Sequence, residues 1–101
     1  MNIKYDEKDK QLTLEITEEI DHCEVEKIRR KADYEIERYI PRKVVFDFNK
    51  VTFMDSAGIG MLLGRYKLTK LLGGTLEAIN VNESVRKIFN MSGIHKIIKI
   101  A

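Results

Sequence analysis

The chain has 101 residues, with 18 Lys and Arg against 16 Asp and Glu, a formal net charge of +2. That length supports one domain around a single core, and 44% hydrophobic with 34% charged residues excludes a disordered chain. No apolar run reaches the roughly 20 residues of a membrane helix, and the near-neutral mixture of charges argues against direct nucleic-acid binding. The stretch from Met1 to Asp6 lacks the apolar core of a secretion signal. Cys23, the one cysteine, has no partner for an internal disulfide. Both observations point to the cytoplasm.

In chain order, Ile3 and Tyr5, then Leu12, Leu14 and Ile16, alternate with polar residues. That period of two predicts a hairpin of half-buried strands joined by the polar run Asp6 to Lys10. The period then changes. Val25, Ile28, Ala32, Ile36 and Tyr39 recur at steps of three and four, one face of a helix whose other face mixes both charge signs. Asp21, with Glu24 three residues on, has the pattern of a capping box. Pro41 ends that segment, and Val44 to Phe48 reads as a strand buried on both faces.

A second helix is expected from Ala57 to Leu72, with Ile59, Leu62, Leu63 and Tyr66 as its apolar stripe and Gly73-Gly74 as its stop. Thr75 to Val81 reads as a strand. Glu83 to Met91 reads as a helix capped by Asn82, with Val85, Ile88 and Phe89 inward. Ser92-Gly93 break it, and Ile97 to Ile100 form a last strand. The order β-β-α-β-α-β-α-β predicts a single α/β domain over 1–101, with a mixed sheet and packed helices.

Catalytic chemistry is poorly supplied. His22 opens a helix and His95 sits in a loop, and no serine lies in a G-x-S-x-G elbow. His22 and Cys23 are sequence neighbours, which a helix turns to different faces, so they build no metal site. Gly58, Gly60 and Gly64 miss the spacing of a dinucleotide loop, and no P-loop lysine follows. Each glycine inside a helix still costs up to about 1 kcal/mol against alanine. Close packing on the sheet accounts for Gly64; for Gly58 and Gly60, in the first turn, close approach of another molecule is the expectation. Ser56 stands where the central strand gives way to the helix. It reads as the helix N-cap, or as an acceptor for a phosphoryl group at the positive end of the helix, beyond the C-terminal end of a central strand.

The run Phe53-Met54-Asp55-Ser56-Ala57-Gly58-Ile59-Gly60, followed by Leu63-Gly64-Arg65-Tyr66-Lys67, resembles the signature of STAS domains. Within them it is most similar to the bacterial anti-sigma factor antagonists of the sporulation sigma-factor switch. Glu19-Ile20-Asp21-His22 resembles the family's turn into its first helix, and Phe89 to Ile94 with Lys96-Ile97-Ile98 resembles its C-terminal segment. The resemblance implies a binding module and not an enzyme, with no cofactor and no metal. It implies that the dephosphorylated form binds an anti-sigma factor that is also a serine kinase, freeing the sigma factor. That kinase, holding ATP, would phosphorylate Ser56, and a serine phosphatase would reverse the step. Asp55 would support the serine, Asp21 would touch the partner, and Met54, Ala57, Gly58, Ile59 and Gly60 would form the contact surface around Ser56. Ala57 replaces the second serine common in the family, and Ala101 directly follows the last expected strand, where family members add a helix. The alternatives are a regulatory module of an anion transporter, which shares the fold, and a small nucleotide-binding or hydrolytic protein.

Overall fold

The structure, a computed structural model, describes all 101 residues. Strands β1 (Asn2–Asp6) and β2 (Gln11–Glu15) form the expected hairpin; α1 (Val25–Tyr39), β3 (Lys43–Asp47), α2 (Ala57–Leu71), β4 (Thr75–Ile79), α3 (Glu83–Ser92), a 3-10 turn (Ile94–Lys96) and β5 (Lys99–Ile100) follow. The strands lie in the sheet in chain order, β1 antiparallel to β2 and every later pair parallel. Each crossover therefore steps to the next strand in the same direction. Crossovers of one hand then place all three helices over one face.

The core agrees with that geometry. Leu12, Leu14, Val44, Phe46, Leu76 and Ala78, alternate residues of three strands, share one cluster with Ile28 and Ile36 of α1, Leu62 of α2, and Val85 and Phe89 of α3. Phe48 and Phe89 meet edge to face, their centroids 5.5 Å apart. The other sheet face has no helix on it. Across it run Lys4, Thr13, Val45, Glu77 and Lys99 in register. Val45 is 2% exposed yet stands outside the core cluster. The strand at 44–46 is buried on both sides, as its sequence predicts, but its second side is covered by neighbouring side chains, among them Glu77 in its ion pair with Lys43 at 3.0 Å.

Several boundaries differ from expectation. The first helix begins at Val25, after a separate turn that Asp21 caps: its Oδ1 accepts from the backbone N–H groups of Cys23 and Glu24, both at 2.9 Å. The helix ends at Ile40 in the left-handed region (φ 44), immediately before Pro41. Strand β4 stops at Ile79, because Asn80 turns left-handed (φ 56). The last strand is only two residues long, since Ile94 to Lys96 coil first. On α2 the buried residues are Gly58, Met61, Leu62, Arg65 and Thr69, while Ile59, Leu63 and Tyr66 are only partly buried. As expected, Asn82 caps α3 by accepting from the Val85 N–H at 2.9 Å.

Candidate functional site

Strand β3 is the middle of the sheet, and its C-terminal end delivers the chain to Val51–Ser56. That segment is clasped to the β2–α1 loop. Ile20 and Met54 form a parallel bridge, and the Asp55 N–H donates to the Ile20 carbonyl at 3.0 Å. Both side chains at the bridge are buried, Met54 at 1% exposure. Gly58 lies against them: a Cβ there would stand 2.5 Å from Met54 Sδ and 2.8 Å from Ile20 Cγ2. Two expectations are corrected here. Met54 and Gly58 are not contact surface; they are the internal seat of the turn, and the close approach that Gly58 permits is to its own chain. Gly64, expected to pack closely, has nothing within 4 Å of its Cβ position, and neither has Gly60, which is exposed on the first turn of α2.

Asp55 holds the two loops from the side. Its Oδ1 accepts from the Ala57 N–H at 2.8 Å, and its Oδ2 accepts from the His22 N–H at 3.1 Å. The His22 ring adds a long contact, Nδ1 to Asp55 Oδ2 at 3.8 Å, and its Nε2 lies 3.5 Å from Cys23 Sγ. Asp21 and Asp55 thus each cap a turn, and Asp55 reaches across to the turn Asp21 starts.

This arrangement changes the role of Ser56. It occupies the N-cap position of α2, but its backbone is helical (φ −64, ψ −18) and its side chain makes no cap bond. A capping serine needs an extended backbone to turn its oxygen onto the helix. Here Asp55 has already taken the Ala57 N–H, and the Gly58 and Ile59 N–H groups donate to the Asp55 and Ser56 carbonyls, both at 3.1 Å. The capping side chain is therefore Asp55 and not the expected Ser56, and the Ser56 hydroxyl is exposed with no protein partner. Asp55 does not bond the serine; it supports it only by fixing the turn beneath it.

Beside the hydroxyl lies an open groove of about 320 Å³ lined by Ser56, Ile59, Ile88, Met91 and Ser92. It runs between the first turn of α2 and the last turns of α3. Met91 is 88% exposed and Phe53, on the loop before the clasp, 54%. The sequence reading named Ile59 but missed Met91 and Phe53, and it turned Ile88 fully inward. A signal was available for both misses. Phe53 and Met54 are adjacent on extended chain, so only one of them can point into the core. Met91 lies off the arc that Val85 and Phe89 define.

On the side of the β2–α1 loop the rim is acidic, with Asp55 bonded to the turn that Asp21 starts; on the side of α1, Glu26 and Arg29 line the space beside Ala57 and Gly60. Glu18, in the same loop, is engaged differently. Burial pushes its carboxyl up, but hydrogen bonds from the terminal ammonium and from the Glu18 and Thr17 amides outweigh that and hold it at about 2. Its Oε1 lies 3.0 Å from the terminal nitrogen. No helix is long and apolar enough to cross a membrane.

The STAS domain family model matches residues 2–101. An anti-sigma F factor antagonist from Paenibacillus polymyxa is 36% identical over 89 residues, 88% of this chain and 76% of the relative. Among solved structures, the anti-sigma factor antagonist SpoIIAA in its unphosphorylated form superposes with a TM-score of 0.82 at 28% identity, over 99% of this chain and 86% of that one. The phosphorylated form of SpoIIAA, a Bacillus cell fate determinant, gives 0.72 at 27% identity, over 99% and 89%. A match that spans the chain and a superposition that keeps the same strand and helix order agree with each other: the chain belongs to the STAS domain family, as a homologue of the anti-sigma factor antagonists.

Proposed function

We propose that this protein is an antagonist of an anti-sigma factor, controlled by phosphorylation of Ser56. One observation carries the reading: the Ser56 hydroxyl is exposed and unbonded, at the head of a helix whose Ala57, Gly58 and Ile59 N–H groups are bonded elsewhere. The names of the relatives, and the existence of SpoIIAA in a phosphorylated form, support it. In this reading the protein acts in the cytoplasm, as a binding surface and not as an enzyme. Its unmodified form docks the anti-sigma factor through Ser56, Ala57, Ile59, Gly60 and the neighbouring groove, with Asp21 and Asp55 at the edge. Docking releases the sigma factor.

The anti-sigma factor is also the kinase and brings ATP. The Ser56 oxygen attacks the γ-phosphorus, the bond to the β-phosphate oxygen breaks, and ADP leaves. The hydroxyl proton goes to a base on the kinase, because Asp55 makes no hydrogen bond to the Ser56 hydroxyl and turns its two oxygens to the Ala57 and His22 N–H groups. A serine phosphatase returns the hydroxyl.

Phosphorylation adds about −1.5 to −2 charges and three acceptor oxygens. The first N–H groups of α2 are already bonded, so the helix offers the new anion its dipole but few free donors. Asp55 and Asp21 add like charge. The phosphate therefore stays in water in the free protein, and a partner closing over Ile59 and Gly60 has to strip that water. Burying an uncompensated charge costs several kcal/mol, and about 1.4 kcal/mol is tenfold in affinity. The test is labelling by ATP in the presence of the anti-sigma factor kinase. Phosphate is expected on Ser56 and not on Ser84 or Ser92, and no labelling with ATP alone. Undiminished labelling of Ser56→Ala overturns the proposal.

A further inference from the structure

Helix α2 is apolar over most of its circumference, with only Lys67 and Lys70 marking an exposed basic side. Ala57, Met61 and Leu68 lie on one side, Leu62, Tyr66 and Ile59 on another, Leu63 and Leu71 on a third. At about 100° per residue, Ile59, Leu62, Leu63 and Tyr66 form one stripe, which Lys70 interrupts only in the last turn. It is not the stripe that is buried. The observed arc of Gly58, Met61, Leu62, Arg65 and Thr69 is turned from it by about one residue step, roughly 100°. The centre of the buried arc is a charged residue, Arg65, only 7% exposed.

Apolar patterning alone does not fix this rotation: Lys70, which the alternative would turn inward between Ile59 and Leu63, weighs against that alternative but sits in the last turn and does not pick out the observed arc. Gly58 permits it, since a side chain there would strike Met54, but permission does not exclude the alternative. The one ion pair that joins α1 to α2 does discriminate. Arg65 Nε stands 2.6 Å from Asp33 Oδ1 of α1, while Asp33 Oδ2 faces Arg29 Nη1 at 3.4 Å. Arg65 Nη1 donates back to the Met61 carbonyl at 3.2 Å, and the Thr69 hydroxyl donates to the Arg65 carbonyl at 2.7 Å. The Arg65 Nε–H does not point along a hydrogen bond to the carboxylate, so the contact is Coulombic. Such a pair adds little net stability against an apolar pair of the same volume. It is directional all the same, and a buried polar contact of this kind can select one register among several apolar ones.

We infer that the Asp33–Arg65 pair is the rotational lock of α2, and that it positions the Ser56–Ile59 turn. Turned by one residue step, α2 would draw Ile59 and Tyr66 into the core and carry Arg65 away from Asp33, dismantling the groove beside Ser56. The lock itself follows from the packing alone; its consequence for partner binding rests on the function proposed above.

The test is an apolar replacement of both partners, Asp33→Leu with Arg65→Met, in the full chain. The double variant is expected to fold with a melting temperature near that of the wild type. Its amide NMR signals from Ala57 to Leu71 are expected to broaden or double, while those of α1 and the strands stay single. Arg65→Lys, which keeps the charge facing Asp33, is expected to keep one sharp set. With the rotated form at half of the population or more, Ser56 labelling by the kinase should fall at least about twofold, in proportion to the competent fraction. One sharp set at wild-type positions in the double variant overturns the lock, whatever the labelling shows. Doubled signals in the variant, with no Ser56 labelling even of the wild type, leave the lock standing and overturn the proposed function instead.

Discussion

Helices α1 and α2 have the same length, 15 residues each, lie side by side on one face of the sheet, and were decided by different physics. In α1 the buried residues are Ile28, Ala32, Ile36 and, at the edge of that stripe, Glu35; the three apolar ones recur at steps of four, and most of the residues around them are charged. Rotation there is set by water: any other face would bury Glu26, Arg30 or Lys31. In α2 the polar face is narrow, Lys67 and Lys70 near its C-terminal end, and leaves the first turns unconstrained. Its rotation is set by one glycine that fits and one ion pair that points. A hydrophobic pattern fixes the rotation of a helix only when the opposite face is polar. The helix that carries the candidate site is the one where that condition is met only by Lys67 and Lys70 in its second half.

The largest effect expected from this contrast is on α1. Ile28→Ala removes a fully buried side chain from a face with no alternative and should cost about 2–5 kcal/mol, read by chemical denaturation. Ile59→Ala on α2 removes a side chain that only borders the core, so it should leave stability nearly unchanged and weaken partner binding. If the two substitutions cost the same stability, the two helices are not held differently.

Next come the glycines of α2. Gly58→Ala sets a methyl against Met54 and Ile20. Overpacking of that kind costs about 1–3 kcal/mol, against a helix-propensity gain of up to about 1 kcal/mol, so a net loss is expected. Gly60→Ala meets nothing within 4 Å and its φ is not positive, so it should raise stability by up to about 1 kcal/mol while weakening the complex. Thermal melts of both variants check this, and a stabilised Gly58→Ala would contradict the clasp.

Replacing Asp55 tests the clasp from its polar side. Asp55→Ala leaves the Ala57 and His22 N–H groups without acceptors, a loss of about 1–2 kcal/mol on the scale of helix caps, whereas Ser56→Ala should cost nothing because Ser56 caps nothing. A larger loss for Ser56→Ala in unfolding measurements would restore the serine as the cap.

The smallest effect concerns Glu18, which lies outside both helices. Its carboxyl is held at about 2 in the folded chain against a usual value of 4.5. The ionised form is therefore favoured by folding. Its contribution is complete above about pH 4.5 and is lost as the pH falls toward about 2. Carboxyl chemical shifts should show Glu18 titrating near pH 2 and not near 4.5, and Glu18→Gln should flatten the acid limb of the stability curve.

The contrast between the helices also measures how much could be read in advance. Strand and helix order followed from periodicity, from Asn82 as a cap and from Gly73 and Gly93 as stops, all of which are local effects. The Asp55-Ser56 turn was legible as a resemblance, and its position past the central strand followed from topology. What was not legible depended on pairs distant in sequence. Met54 against Gly58 and Ile20, Asp55 against His22, and Arg65 against Asp33 leave no periodic trace. The same distance hid the groove, whose two walls come from α2 and α3.

The most direct test compares the protein with and without phosphate on Ser56, by affinity for the anti-sigma factor and by amide hydrogen exchange in the free state. The expected result is at least a hundredfold loss of affinity, with exchange changes confined to Asp55–Leu63 and the facing end of α3. Unchanged affinity, or changes spread through the sheet and α1, would contradict a switch that works by local charge on a turn already held in place.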